Sequence, residues 1–585
     1  MFVKPSSAFV GNPSVVASSS GSAKNARYAR LLPSTRKSSA SRAGPSSSWS
    51  SAPVRVFGIG ASLRGGLATF GGWIERGVLY RRAPMLRVPM LAGSRLVVVT
   101  ADEDELVLRP PPPAAGVADV RAAVRDALRF PLAGEPLEAL VPRRGGRATI
   151  VVEPPSLPLP GTDRDPRQDA IAAAVDELER LGISSGYQTL LVAGGLARRP
   201  GHDVVANLVS PDFGRRFHGH VEVHDVERDD LVEVVGGGFP LRVHPSLVRA
   251  DVVVVVTAAE TVLHGGPAAL VGAANREALR SAGAWSLLET TASQGWRTAL
   301  ALERALVGRV PLIGASLVLN HPRATGAARG YPYDDEALER IVDSPFRRVF
   351  GLLPGSVRAT ILRSLPLERS VAAAFAGPPS VAHAEALIRG VELRGATIDG
   401  ELDAICIGVP RTTPSLPRER PNPLLVAQLG LGLALRLWRD AFPVREGGTA
   451  ILLSRFQRRF AHPTQQPYRA FFAAARNGPD PEALGRGEQQ AVDARAVEAY
   501  RAGRTVHPLQ PFVDWNSCAP ALSSLGQVLV AGCRDAAAAR SLGFVPTHGL
   551  GAALTMTRGW TDRPPRIGFL LSPPYFPLRV STPSR

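Results

Sequence analysis

The residues best suited to chemistry lie at the end of Ala250–Gly272, ADVVVVVTAAETVLHGGPAALVG. A single imidazole, His264, stands beside Gly265 and Gly266 shortly after five successive valines. Its proton affinity near neutrality suits a general base or a metal ligand. The blander reading is a histidine that caps a turn or hydrogen-bonds near a domain interface. A second group, His218, His220 and His224, alternates along HGHVEVHD. On an extended strand residues two or four apart share a face, so three imidazoles can converge on zinc or nickel. Asp225 flanks them as a candidate carboxylate ligand, but solvated strand histidines fit the spacing better. Arg198-Arg199 can hold a carboxylate or phosphate, or simply solvate a loop. Gly236-Gly237-Gly238 lacks the strand–GxGxxG–helix setting of a dinucleotide loop and reads as a turn. Gly265-Gly266 ahead of a helix can offer amides to an anion, although Pro267 removes one donor.

An α/β pattern must position these residues. Val252–Val256 read as a strand buried on both faces, the kind found in parallel sheets, and ligands bind just past the carboxyl ends of such strands. Upstream, Arg147–Glu153 is a strand followed by a proline-studded loop. A helix then begins with Asp165 as N-cap and Pro166 at its first position. Its apolar face is Ile171, Ala174, Val175, Leu178 and Leu181, and Gly182 stops it. Gln188–Ala193 completes a βαβ unit. His218–Asp225 reads as a further strand and Pro267–Ser281 as the helix after the valines. A break falls at 320–335. Beyond it come a strand at Ser370–Phe375, a helix through Val381, His383 and Leu387, and a strand at Asp403–Val409. Next are a helix over Asn422–Phe442 with Leu425, Leu429, Leu433 and Leu437 in one stripe, and a strand at Ala450–Leu453. Gln527–Gly532 and Cys533–Leu542 form a last strand and helix, and the final ten residues read as irregular.

At 585 residues the chain exceeds a single hydrophobic core, and 45% hydrophobic with 20% charged residues is a globular composition. The net charge of +17 invites a nucleic-acid reading, but residues 1–95 hold 14 of the 68 Lys/Arg and one of the 51 acids, Glu75. The remaining 54 basic and 50 acidic residues leave only +4, without the excess that backbone binding needs. The basic residues 1–90 read as a disordered Ser/Arg-rich tail, whether a transit-peptide-like segment or a mis-assigned start. Three cysteines, Cys406, Cys518 and Cys533, have no paired spacing, which suits a reducing cytosol. The apolar runs Asp251–Leu263 and Leu424–Trp438 are shorter than the roughly 20 residues of a membrane span. The expectation is a soluble cytoplasmic protein with no nucleic-acid or membrane partner. It has two α/β domains, 91–330 and 331–577, with mostly parallel sheets flanked by helices.

The order of these segments resembles the nickel-dependent lactate racemase family over roughly Leu106 to Gly559. The collinear pieces are Val151–Pro160, AGGLARRP (Ala193–Pro200), VHD (Val223–Asp225) and RADVVVVV leading to His264. They continue with AFAGPPSVAH (Ala374–His383), similar to an Ala-Gly-Asp-Pro…Ala-His turn, and ELDAICIGV (Glu401–Val409). The helix from Asn422, VREGGTAILL (Val444–Leu453) and AGCRDAAAARSLGFVP (Ala531–Pro546) follow. The resemblance implies an active site between two α/β domains and a nickel pincer nucleotide tethered to a lysine. It also implies two histidine bases, one for each enantiomer of a 2-hydroxy acid, and a cation for the substrate carboxylate. His264 keeps one base position, Gly272 matches a glycine of the cofactor loop, and Arg198 matches an arginine placed for the substrate. The other base falls at Ala197, the tethering lysine at Ala274, and no lysine occurs after Lys37. The family's third histidine, a metal ligand, has no counterpart within 265–320, so the metal ligands are unknown. The acidic-His-Thr-Arg loop becomes Glu153-Pro-Pro-Ser-Leu157, and the lysine on the Asn422 helix is absent. Two functions follow as expectations: a racemase or epimerase of a small 2-hydroxy acid, or a catalytically degraded paralogue. The latter would bind a nucleotide-like or carboxylate ligand, or a partner, without turnover.

Overall fold

Val252–Val256 form the centre of a six-stranded sheet, each valine at most 1% exposed. This computed structural model describes residues 86–581, apart from 103–104, 143–144, 156, 158, 160–163, 200–207, 209–210, 237–238, 261–263, 283–293, 412–420, 461 and 562. Of the basic tail expected at 1–90, residues 1–85 lie outside the described residues, whereas 86–90 belong to the strand Leu86–Ala92, and the described residues fall in one compact unit, Tyr80–Arg585. Twelve strands build the two principal sheets: β1 Leu106–Leu108, β2 Ala148–Val152, β3 Gln188–Val192, β4 His220–Val223, β5 Val252–Ala259, β6 Leu312–Leu319, β7 Val371–Gly377, β8 Leu402–Gly408, β9 Val444–Leu453, β10 Leu525–Ala531, β11 Val545–Thr547 and β12 Ile567–Leu570. The first sheet has the order β7-β6-β5-β2-β3-β4 and is parallel except for β7. The second runs β11-β10-β9-β8-β12-β1, parallel throughout.

The unbroken valines follow from coverage on both sides. Val252, Val254 and Val256 pack with Ile150, Leu190 and the apolar face of helix α1 (Arg167–Arg180), where Ala170, Ile171, Ala174, Val175 and Leu178 are buried. Val253 and Val255 face the other way, onto Leu270, Val271, Ala274 and Leu302. Burial stabilises each such valine by roughly 1.5–3 kcal/mol. The second sheet is also covered twice. One face carries the antiparallel hairpin of Leu86–Ala92 and Arg95–Ala101, which contributes Val88, Met90 and Val99. The other packs against the helix that starts at Asn422.

Several elements depart from the sequence pattern. The fold is not strictly sequential: β1 pairs in the second sheet, and β7 closes the first as its antiparallel edge. The helix expected over Pro267–Ser281 is two pieces, α2 (Pro267–Val271) and a second at Arg276–Ala282. Between them the Asn275 amide donates to the Arg242 carbonyl, drawing the chain out of helical register. Asn422 caps as expected, its Oδ1 accepting from the Leu424 and Leu425 amides at 3.0 and 3.1 Å. That helix ends near Arg436 rather than Phe442, and it is buried all round, beyond the expected leucine stripe. The final segment is not irregular, because Leu578–Ser581 is a strand paired with Ala396–Asp399. No described helix is long and apolar enough to cross a membrane.

Helix α3 (Pro379–Arg394) packs tightly on β6 because Gly314 has no side chain. A β-carbon there would meet the Pro379 Cα at 2.7 Å. Gly314→Ala is therefore expected to lower stability by about 1–3 kcal/mol through overpacking, read as a lower urea midpoint at unchanged m-value.

Candidate functional site

In the first sheet the chain order reverses between β2 and β5, the place where open α/β sheets leave a crevice at the carboxyl ends of the strands. Glu153 leaves β2 there, and Glu260 and His264 leave β5. Helix α1 points its first residues at the same spot. Asp165 accepts from the Arg167 amide at 2.9 Å, the capping role its position predicts. The same carboxylate grips the Arg167 side chain with two further hydrogen bonds, 2.9 and 2.8 Å. The guanidinium also reaches Glu260 at 3.1 Å, while Arg369 approaches Asp165 at 3.3 Å. From the end of α3, Arg394 donates to the Ala259 carbonyl at 2.7 Å. Asp165, Arg167, Glu260 and Arg394 are all buried. Charges taken out of water at this cost must be held by one another.

Two groups at the mouth of this cluster keep partial exposure, Glu153 and His264. Burial among protein atoms pushes the Glu153 carboxyl up to about 8; neighbouring Glu260 adds to this, while Arg167 and the Gly265 amide oppose it. Burial moves the His264 imidazole the other way, to about 4, with Glu260 opposing and Arg167 assisting. Near neutral pH the crevice therefore presents a protonated carboxyl and a neutral imidazole. Burial lowers Arg394 to about 10 despite Glu260, whereas Asp165 stays below the usual carboxylate range because Arg167 outweighs its burial.

The two glycines after His264 serve packing. Gly265 and Gly266 have φ of 102° and 52°, and a β-carbon on either would fall within 2.4 Å of the His383 side chain. His383, 1% exposed, hydrogen-bonds to the His264 backbone and, through Nδ1, to Ser316 Oγ at 3.0 Å. The Gly266 amide donates to Thr257 Oγ1 at 3.0 Å. The turn carrying His264 is thus pinned to α3 and to β5.

The other expected residues lie around the neighbouring strand end. Gly272 is close-packed: a β-carbon would sit 2.9 Å from the Ala193 carbonyl, and its own carbonyl accepts from the Gly195 amide. Arg198 is exposed, and its Nε donates to the Gly503 carbonyl at 2.7 Å. The loop that carries Ala197 and Arg198 is covered by the segment around Tyr500–Leu509. Tyr500 donates to the Gly195 carbonyl, and the His507 amide donates to Leu196. His218 and His220 are exposed, while His224 is buried with Nε2 2.8 Å from the Ala274 carbonyl, so the three imidazoles do not converge. Among the described residues no three His, Cys, Asp or Glu side chains are grouped to hold a metal.

The nickel pincer nucleotide can be tested against these residues. The resemblance places its tether at Ala274, which is fully buried in the apolar layer with Val271 and Leu302. A methyl group has no amine to form the tether, and no lysine follows Lys37. The residues present do not fit the tethered group. Among the described residues, the second sheet offers no replacement at its own reversal point, between β8 and β12. There the hairpin turn plugs the strand ends: the Gly93 amide donates to the Val409 carbonyl and the Leu91 amide to Ser572 Oγ. The residues sequence reasoning missed are Arg167, Glu260 and Arg394, together with the raised carboxyl of Glu153. Their signal was polar side chains at the ends of strands and helices that are otherwise apolar.

No family model matches the chain, and no curated protein matches it. Among solved structures, the lactate racemase apoprotein from Thermoanaerobacterium thermosaccharolyticum is similar at 14% identity and a TM-score of 0.54. It covers 85% of this chain and 100% of that chain. A protein from Thermotoga maritima aligns at 11% identity and a TM-score of 0.43, over 80% of this chain and 100% of that one. The first of these likenesses shows the fold: mixed α/β, with mostly parallel sheets flanked by helices, of the lactate racemase kind.

Proposed function

We propose that this chain is a catalytically degraded paralogue of lactate racemase that binds a small carboxylate of the 2-hydroxy acid class beside Glu153 and His264 without turning it over. The observation that carries this reading is Ala274, buried in apolar packing where the resemblance places the tethering lysine. The α-hydrogen of a 2-hydroxy acid is not acidic, so inverting that carbon requires a hydride acceptor, and this chain cannot anchor one there. Binding needs less. A protonated Glu153 donates a hydrogen bond to a carboxylate, and a neutral His264 accepts one from the hydroxyl.

A second reading, a racemase or epimerase acting with a differently held cofactor, is favoured by one feature. Glu153 and His264 share a crevice and have proton affinities displaced in opposite directions, the pattern of paired acid–base groups. Intact mass and nickel content of protein co-produced with the cofactor-making machinery separate the two. The degraded reading expects the unmodified mass, no stoichiometric nickel and no interconversion of D- and L-lactate; a nucleotide adduct with racemisation overturns it. Lactate binding followed by calorimetry should weaken about tenfold in His264→Ala. Unchanged affinity would remove His264 from the site.

The displaced carboxyl also has a pH signature. Glu153 rises from an ordinary 4.5 to about 8 in the folded chain, so the native state holds a proton that the unfolded chain has released. Its contribution is fully present below about 4.5 and is lost as pH climbs through about 8. Between pH 5 and 8 the wild type should lose stability relative to Glu153→Gln, read from urea midpoints; parallel curves would contradict the assignment.

A further inference from the structure

We propose that a groove at the opposite end of the first sheet, where its strands begin, is a binding site for a phosphomonoester that carries a planar ring. The groove has a volume of about 430 Å³, within the range of small-ligand sites. It opens where β2 and β3 begin, lined by Arg147 and Thr189 beside Arg228, Arg249, His244 and Tyr187. Arg147 precedes β2 and Glu153 follows it, so the five-residue strand separates this groove from the crevice by about 16 Å. The two sites are distinct.

Its charge points to a dianion. Arg228 is held rigidly by Asp230 through hydrogen bonds of 2.7 and 2.8 Å, which orients its guanidinium. Arg147 and Arg249 are exposed, and among the described residues neither guanidinium has an ion-pair partner. Glu222 is the one carboxylate in the lining, 3.1 Å from His244 Nε2 and 3.9 Å from Arg228. Arg147 and Arg249 therefore bring two guanidinium groups to this concave surface beside Arg228, whose charge is already matched by Asp230 and Glu222. His244, 1% exposed, lines the groove with Nε2 set between Arg228 at 2.6 Å and Glu222. The buried imidazole, with Nδ1 also 2.7 Å from Ser246 Oγ, fixes the Arg228 side chain, while Arg147 and Arg249 supply paired donors that match phosphoryl oxygens. At the rim Tyr187 is 64% exposed. An aromatic ring left in water beside a cationic groove offers a stacking face to the rest of the ligand. Residues 96–585 carry 54 basic and 50 acidic side chains, so this concentration of charge is local and suits a small anion rather than a polyanion.

Calorimetric titration of the full chain at low salt with inorganic phosphate and phenyl phosphate tests the site. Both should bind saturably, and phenyl phosphate about threefold or more tighter. The double variant Arg147→Ala/Arg249→Ala should weaken both about tenfold or more, with the urea midpoint unchanged because both side chains are exposed. Tyr187→Ala should abolish only the preference for phenyl phosphate. Absence of saturable binding, binding that survives the double arginine variant, or equal affinity for the two anions in the wild type would each overturn the proposal.

Discussion

Everything at the crevice of the first sheet depends on the buried contact between Arg167 and its two carboxylates, Asp165 and Glu260. One comes from its own helix start and the other from the end of the valine strand, so the ion pairs join α1 to β5. They set the local field as well. Arg167 holds Asp165 ionised, opposes the upward displacement of Glu153 and assists the downward displacement of His264. A buried ionic cluster of this kind is costly to assemble and more costly to leave half-made, which is why its partners come as a set.

The same crevice shows how close packing and polarity cooperate. Gly265 and Gly266 let the His264 turn lie directly on His383, and Gly314 lets the start of α3 lie on β6. Helix α3 then delivers Arg394 to the Ala259 carbonyl beneath the cluster. On the second sheet the equivalent position is taken by the hairpin around Gly93 and by Ser572. The molecule thus has two reversal points of strand order, one sealed by its own chain and one furnished with titratable groups.

Much of the first lobe was legible from local pattern. Five successive valines required a strand buried on both faces, and Asp165 with Pro166 required a helix start. His264 was found because it follows the strongest strand in the chain. What stayed hidden depends on contacts distant in sequence. Arg394 reaches Ala259 across 135 positions, and β7 pairs antiparallel with β6, which no periodicity encodes. The helix after His264 is shorter than its sequence pattern because the interruption is made by Arg242 and Asn275, a tertiary contact. The helix from Asn422 was read through Phe442 because a fully buried segment has no polar face to mark its end.

A double-mutant cycle on Arg167 and Glu260, followed by urea unfolding, tests the central contact most directly. Arg167→Met alone should cost about 3–5 kcal/mol, because it removes the buried guanidinium shared by Asp165 and Glu260. Adding Glu260→Gln should return at least about 1 kcal/mol of that loss, giving a coupling well outside additive behaviour. Additive losses, or a single variant as stable as the wild type, would show that the crevice is not organised around this guanidinium.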